Sequence, residues 1–85
     1  MAAFWVYILQ CNDGSLYTGI AADVEKRFAM HRAGKGARYT ASHPPERILY
    51  RQRCTTRSGA TKRETQIKSW PRKKKLALIK NKRGG

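Results

Sequence analysis

The chain has 85 residues, enough for one small domain, and its 40% hydrophobic fraction suits a globular fold. Nineteen Lys and Arg against five Asp and Glu give a net charge of +14, which points to a polyanion, nucleic acid before a membrane surface. No apolar run approaches the roughly 20 residues of a bilayer span, and MAAFWVYILQ lacks the basic start of a signal peptide.

Phe4–Gln10 (FWVYILQ) is aromatic and β-branched and reads as a largely buried strand. Asn12-Asp13-Gly14 is a tight-turn signal, so Leu16–Ile20 returns as an antiparallel partner. Asp23 caps a helix over Val24–Arg32, which Gly34 ends. Lys35–Glu46 contains two consecutive prolines and no period, and reads as loop. Arg47–Cys54 alternates as a third strand with Ile48, Tyr50 and Gln52 on one side. Ser58 is placed to cap a second helix over Ser58–Ser69. Ser69-Trp70-Pro71 then interrupts it and starts a basic third helix that runs to Ile79 or Lys80. The order is β-β-α-β-α-α in an α/β (α+β) chain, one domain over 1–80 with a flexible basic tail at 81–85. Cys11 and Cys54 make neither a disulfide framework nor a zinc site, and read as reduced thiols of a cytoplasmic protein.

Five residues could carry chemistry. Tyr7 and Tyr17 flank the turn and share a sheet face if the register is near ideal; the plain alternative is two core tyrosines with hydroxyls at the rim. Gly19 leaves space where a phosphate backbone could approach. Arg27 and His31 are helical neighbours, one suited to gripping a phosphate and the other to moving a proton, or else they form a solvated helix edge. Glu64 falls between Ala60 and Ile67 on the apolar side of its helix, at about 100° per residue. Burying that carboxylate unpaired costs several kcal/mol, so it calls for a cation, either Lys68 one turn on or a divalent metal. Lys35, Arg38 and Tyr39, with Arg72, Lys73, Lys74 and Lys75, could follow a phosphate backbone or form solvated basic faces.

Trp5-Val6-Tyr7, Tyr17-Thr18-Gly19, Arg27, His31 and Glu64, in this order, resemble the GIY-YIG nuclease superfamily over about Phe4–Leu78. The stretches YTGIAADVEKRFAMH and GKGARYT are most similar to its small single-domain bacterial (UPF0213-like) members. The resemblance implies a three-stranded antiparallel sheet flanked by helices, with the active site on the face toward the first helix. It implies that Glu64 binds one divalent metal, Mg²⁺ or Mn²⁺, that Arg27 contacts the scissile phosphate, and that Tyr7 or Tyr17 helps deprotonate water, with His31 beside them. Two positions depart from the pattern. The first motif half is Trp-Val before its tyrosine, and a lysine that several members carry after the second motif is replaced by Ile20, followed by Ala21 and Ala22. The charge that lowers a tyrosine pKa must then come from Arg27, the metal or another residue.

The expected function is a metal-dependent endonuclease acting on DNA, structure-directed or weakly sequence-specific, in repair or processing. RNA is the other substrate, and a protein partner could supply targeting. The alternative is a non-catalytic nucleic-acid-binding module on the same fold. These two separate on cleavage.

Overall fold

The computed structural model describes residues 3–84. Phe4–Cys11 forms strand β1, and the turn after it is held by Asp13, whose carboxylate accepts from the Ser15 backbone N–H at 3.0 Å. Gly14 takes φ 84°, the left-handed conformation that favours glycine. Strand β2, Leu16–Ala21, returns antiparallel to β1. Helix α1 occupies Val24–Arg32: Asp23 accepts from the Lys26 N–H at 3.1 Å at its start, and Gly34, at φ 77°, follows its end.

The segment expected to be loop contains a short helix, α2, at Arg38–Ser42. Five residues are too few to display a helical period. The turn is held by Thr40, whose hydroxyl donates to the Ala37 carbonyl at 3.0 Å and accepts from the Ala37 N–H at 3.2 Å.

Strand β3, Pro45–Cys54, completes a sheet of order β2-β1-β3, antiparallel throughout. Its register against β1 shifts twice: Ile8 pairs with Tyr50 but Leu9 with Ile48, and Gln10 pairs with Arg47 but Cys11 with Pro45. Leu49 and Glu46 therefore bulge. The first bulge corrects the expectation that Ile48, Tyr50 and Gln52 share a side, because Ile48 lies with Tyr7 and Leu9 while Tyr50 lies with Val6 and Ile8.

Helix α3, Arg57–Lys68, is capped by Thr56, which accepts from the Gly59 N–H at 3.0 Å; Ser58, the expected cap, is already inside the helix. Helix α4 spans Arg72–Gly84, past the expected end at Ile79 or Lys80. Of the anticipated tail, Gly85 lies outside the described residues.

Alternation along β1 divides the interior in two. Val6 and Ile8 point to one face and pack with Tyr50, Ala60, Ile67 and Ile79 from β3, α3 and α4. Tyr7 and Leu9 point to the other and pack with Val24 of α1. Cys11 and Cys54 are free thiols at opposite ends of the β1–β3 ladder. No helix among the described residues is long and apolar enough to cross a membrane.

Candidate active site

Pairing across the hairpin sets Tyr7 opposite Gly19 and Leu9 opposite Tyr17, so both tyrosines share the α1 face of the sheet. Tyr7 is 1% exposed. A Cβ at Gly19 would lie 2.5 Å from the Tyr7 Oη, so the glycine makes room for a hydroxyl, and the space expected for a phosphate backbone is taken by the phenol.

His31 reaches the same point from α1. Its side chain is fully buried, with Nε2 2.8 Å from Tyr7 Oη and Nδ1 2.7 Å from Thr40 Oγ1. Nδ1 also lies 3.4 Å from the Ala37 N, but that N–H has the closer Thr40 Oγ1 at 3.2 Å; with the Thr40 hydroxyl donating to the Ala37 carbonyl, we place the ring proton on Nδ1, donating to Thr40. Nε2 is then the acceptor for the Tyr7 O–H. Gly36 lies against the ring, where a Cβ would collide with Nδ1. Thr40 and Gly36 were not singled out as partners of His31 from the sequence. A hydrogen bond across nine residues leaves no periodic trace, although the glycine is its one compositional hint.

Burial, followed by the charge of Arg27, lowers the His31 pKa and keeps the imidazole neutral. Burial is also the main reason that the Tyr7 phenol is pushed up to about 12, with Tyr17 and Glu64 adding to it and Arg27 opposing it. The first helix is therefore no solvated edge at this point. Arg27 is half-buried; its Nε is buried without a hydrogen-bond partner, and its guanidinium lies close enough to the Tyr7 phenol to favour the ionised form. Beside it, a recess of about 290 Å³ is lined by the Ile20–Ala22 segment, Asp23, Lys26 and Met30.

Glu64 lies between buried Ala60 and Ile67 on α3, its side chain 19% exposed, and its Oε2 pairs with Lys68 Nζ at 3.4 Å. Lys68 Nζ also stands 6.0 Å from the Tyr17 ring centroid, which brings a cation to the tyrosine that lacks one in the β2–α1 loop. Among the described residues no three His, Cys, Asp or Glu side chains gather. An ion here would have Glu64 as its protein ligand and complete its shell with water and phosphate oxygens, a donor set that suits Mg²⁺ or Mn²⁺.

Lys35, Arg38 and Tyr39 are exposed around α2, on the Tyr7 side. Arg72, Lys73 and Lys74 are exposed and Lys75 half-buried at the start of α4, a helix that packs on the Val6 face. Lys74 Nζ sits 4.4 Å from the Trp70 ring centroid. The structure thus gathers Tyr7, Tyr17, Arg27 and His31, with Glu64 acting electrostatically on the Tyr7 phenol from a helix that packs on the Val6 face, and it places the second basic run in that Val6 layer too.

The GIY-YIG catalytic domain matches residues 3–77. The chain belongs to the GIY-YIG family. A UPF0213 protein of Staphylococcus saprophyticus is 48% identical over 79 residues, 93% of this chain and 96% of that one. A UPF0213 protein of Staphylococcus aureus is 49% identical over 80 residues, 94% and 98% of the two chains. Among solved structures, the solution structure of a UPF0213 protein from Bacillus halodurans has 39% identity and a TM-score of 0.62, covering 94% of this chain and 85% of that one. A solution structure from E. faecalis has 33% identity and a TM-score of 0.67, covering 100% and 91%. GIY-YIG membership places the chain in a nuclease family, with nucleic acid as the substrate class. In this GIY-YIG domain the two motif halves are the facing strands β1 and β2, and the Gly of the second half shelters the Tyr of the first.

Proposed function

We propose that this GIY-YIG domain is a metal-dependent endonuclease that hydrolyses DNA phosphodiester bonds with structural or weak sequence preference, in repair or processing. The observation that carries the reading is the buried hydrogen bond from the Tyr7 hydroxyl to a neutral His31 Nε2, with Arg27 and Glu64 acting electrostatically on the same phenol.

In the proposed reaction a water oxygen attacks phosphorus and gives a proton to Tyr7 Oη. The phenol passes its own proton to His31 Nε2, so that Tyr7 ends neutral and His31 ends as the imidazolium. The Arg27 guanidinium holds a non-bridging oxygen of the phosphate. The bond between phosphorus and the leaving deoxyribose oxygen breaks, and that oxygen takes a proton from water, yielding a phosphate monoester and a hydroxyl end. Glu64 would hold one Mg²⁺ or Mn²⁺, which when bound supplies positive charge beside the phosphate. Lys68 must release Glu64 for this, since the two are paired at 3.4 Å.

Purified protein is expected to nick plasmid or branched duplex with Mg²⁺ or Mn²⁺. Glu64→Gln should lower cleavage at least about a hundredfold while DNA affinity persists and Mn²⁺ binding, read by electron paramagnetic resonance, weakens. The second reading is a binding module without turnover, favoured by the phenol pKa of about 12. Equal, background-level cleavage by wild type and Glu64→Gln across both metals would establish it.

A further inference from the structure

We infer that Tyr39 and His43 form a stacking seat for one unpaired nucleobase beside the scissile phosphate. The inference rests on the nuclease reading and narrows its substrate to nucleic acid with an unpaired strand. Three rings form a nearly parallel column. Tyr17 and Tyr39 have centroids 6.2 Å apart at 15°, and Tyr39 and His43 have centroids 4.5 Å apart at 16°. The inner ring, Tyr17, stands edge-on to His31 at 5.1 Å, so the column starts in the candidate active site and leads outward.

The outer rings are built to stay exposed. Tyr39 is 40% exposed and His43 is half-buried, and neither packs into the two core layers. They are nonetheless fixed. Tyr39 Oη donates to Ser15 Oγ at 2.5 Å, and Ser15 Oγ donates to Asp13 at 2.5 Å. His43 Nε2 lies 3.6 Å from Asp13 Oδ2, and its Nδ1 lies 3.2 Å from the Tyr39 carbonyl. The β1–β2 turn therefore anchors both rings, so little side-chain freedom is left to lose when a ligand binds.

The outer face of His43, backed and held by the exposed Tyr39, ends the column in a flat π surface. Base pairs inside a duplex have both faces covered by their neighbours, whereas an unpaired base has a face free to stack on such rings. Lys35 and Arg38, exposed on the same segment, can take the flanking phosphates. An acidic peptide would use the charges but has no need of the column.

The test is binding without turnover, in EDTA, by fluorescence. Two probes of equal length are compared, a duplex carrying a short flap with 2-aminopurine at its first unpaired position and a blunt duplex with 2-aminopurine paired. Wild type should bind the flap roughly tenfold more tightly than the blunt probe and quench its fluorescence, the scale expected of one stacked base. Tyr39→Phe should keep that preference, since the ring remains. Tyr39→Leu and His43→Leu should lower flap affinity about tenfold, blunt-duplex affinity by twofold or less, and abolish the quenching. Should Tyr39→Leu not fold, His43→Leu decides alone. Equal affinity of wild type for both probes, or a flap preference that survives loss of the ring, overturns the inference. Because no metal is present, failure here leaves cleavage untouched, whereas flap binding without any cleavage sinks the nuclease reading alone.

Discussion

On one side of the sheet Val6, Ile8 and Tyr50 meet Ala60, Ile67 and Ile79; on the other, Tyr7 and Leu9 meet Val24 and two buried polar side chains, His31 and Thr40. The first face gains stability from apolar area removed from water, and its members are interchangeable in kind. The second buries groups that must each find a partner, and the chain Tyr7–His31–Thr40–Ala37 supplies one to every member. Adjacent residues of one strand thus belong to different economies. Val6 and Ile8 hold the protein together, while Tyr7 is held by it.

Substitutions on β1 can break that division. Tyr7→Phe removes one oxygen and should lower cleavage by about 10²- to 10⁴-fold, with a stability loss of about 1–3 kcal/mol from the His31 Nε2 left without its partner. Ile8→Ala, one residue along, should spare the chemistry. Stability falls by about 2–5 kcal/mol, read from denaturant midpoints, while the fraction still folded cleaves at the wild-type rate. If Tyr7→Phe cleaves normally, the polar face is structural and the distinction fails.

A smaller effect is expected at Thr40. Thr40→Ala removes the acceptor that keeps the proton on His31 Nδ1 and should reduce cleavage about tenfold. Imidazole ¹⁵N shifts should then report a mixture of tautomers. Thr40→Ser, which retains the hydroxyl, should restore both readouts; a serine variant as impaired as the alanine one would mean that Thr40 acts by packing.

The smallest effect is a pH slope. The pKa of His31 in the folded chain lies below the unfolded value of about 6.5, through burial and then Arg27. Its contribution to stability is therefore fully present above about pH 6.5 and declines as the pH falls through the lowered folded value. Urea midpoints of the wild type should drop more between pH 7.5 and 5 than those of His31→Gln. Parallel profiles would show that the ring is not held neutral.

Much of this was legible in the chain. Asp23 and Gly34 gave α1 its observed boundaries because a cap and a left-handed terminator are local signals. The shared face of Tyr7 and Tyr17 followed from a tight turn and the twofold period of strands. Less readable were features that depend on a partner distant in sequence. The bulge at Leu49 exists only in the pairing with β1, and α2 only through Thr40 and the ring beneath it. The α3 cap was misplaced because Thr56 and Ser58 are both good capping residues, two positions apart. At the site, Arg27 and His31 could be paired from helical spacing and set near the sheet by the apolar Val24 and Phe28 they flank, but the full burial of the ring depends on Thr40 and Gly36, which left no periodic sign. The run Arg72–Lys75 shows the limit of reading charge: its sign was plain, and its side of the sheet was not.

The unpaired residues of β3 bear on how this chain can vary in length. Loss of one residue from a regular strand turns everything beyond it to the wrong side. At Leu49 that rule is suspended. Without it, Ile48 and Tyr50 would become neighbours in a regular ladder, still opposite Leu9 and Ile8 and still on their own faces. A deletion at exposed Glu46 preserves every inward-facing choice in the strand, a deletion at Leu49 keeps the alternation but removes an apolar contact with the Val6 cluster, and a deletion at Tyr50 exchanges the faces. This strand can therefore shorten at Glu46 without redesigning either interior.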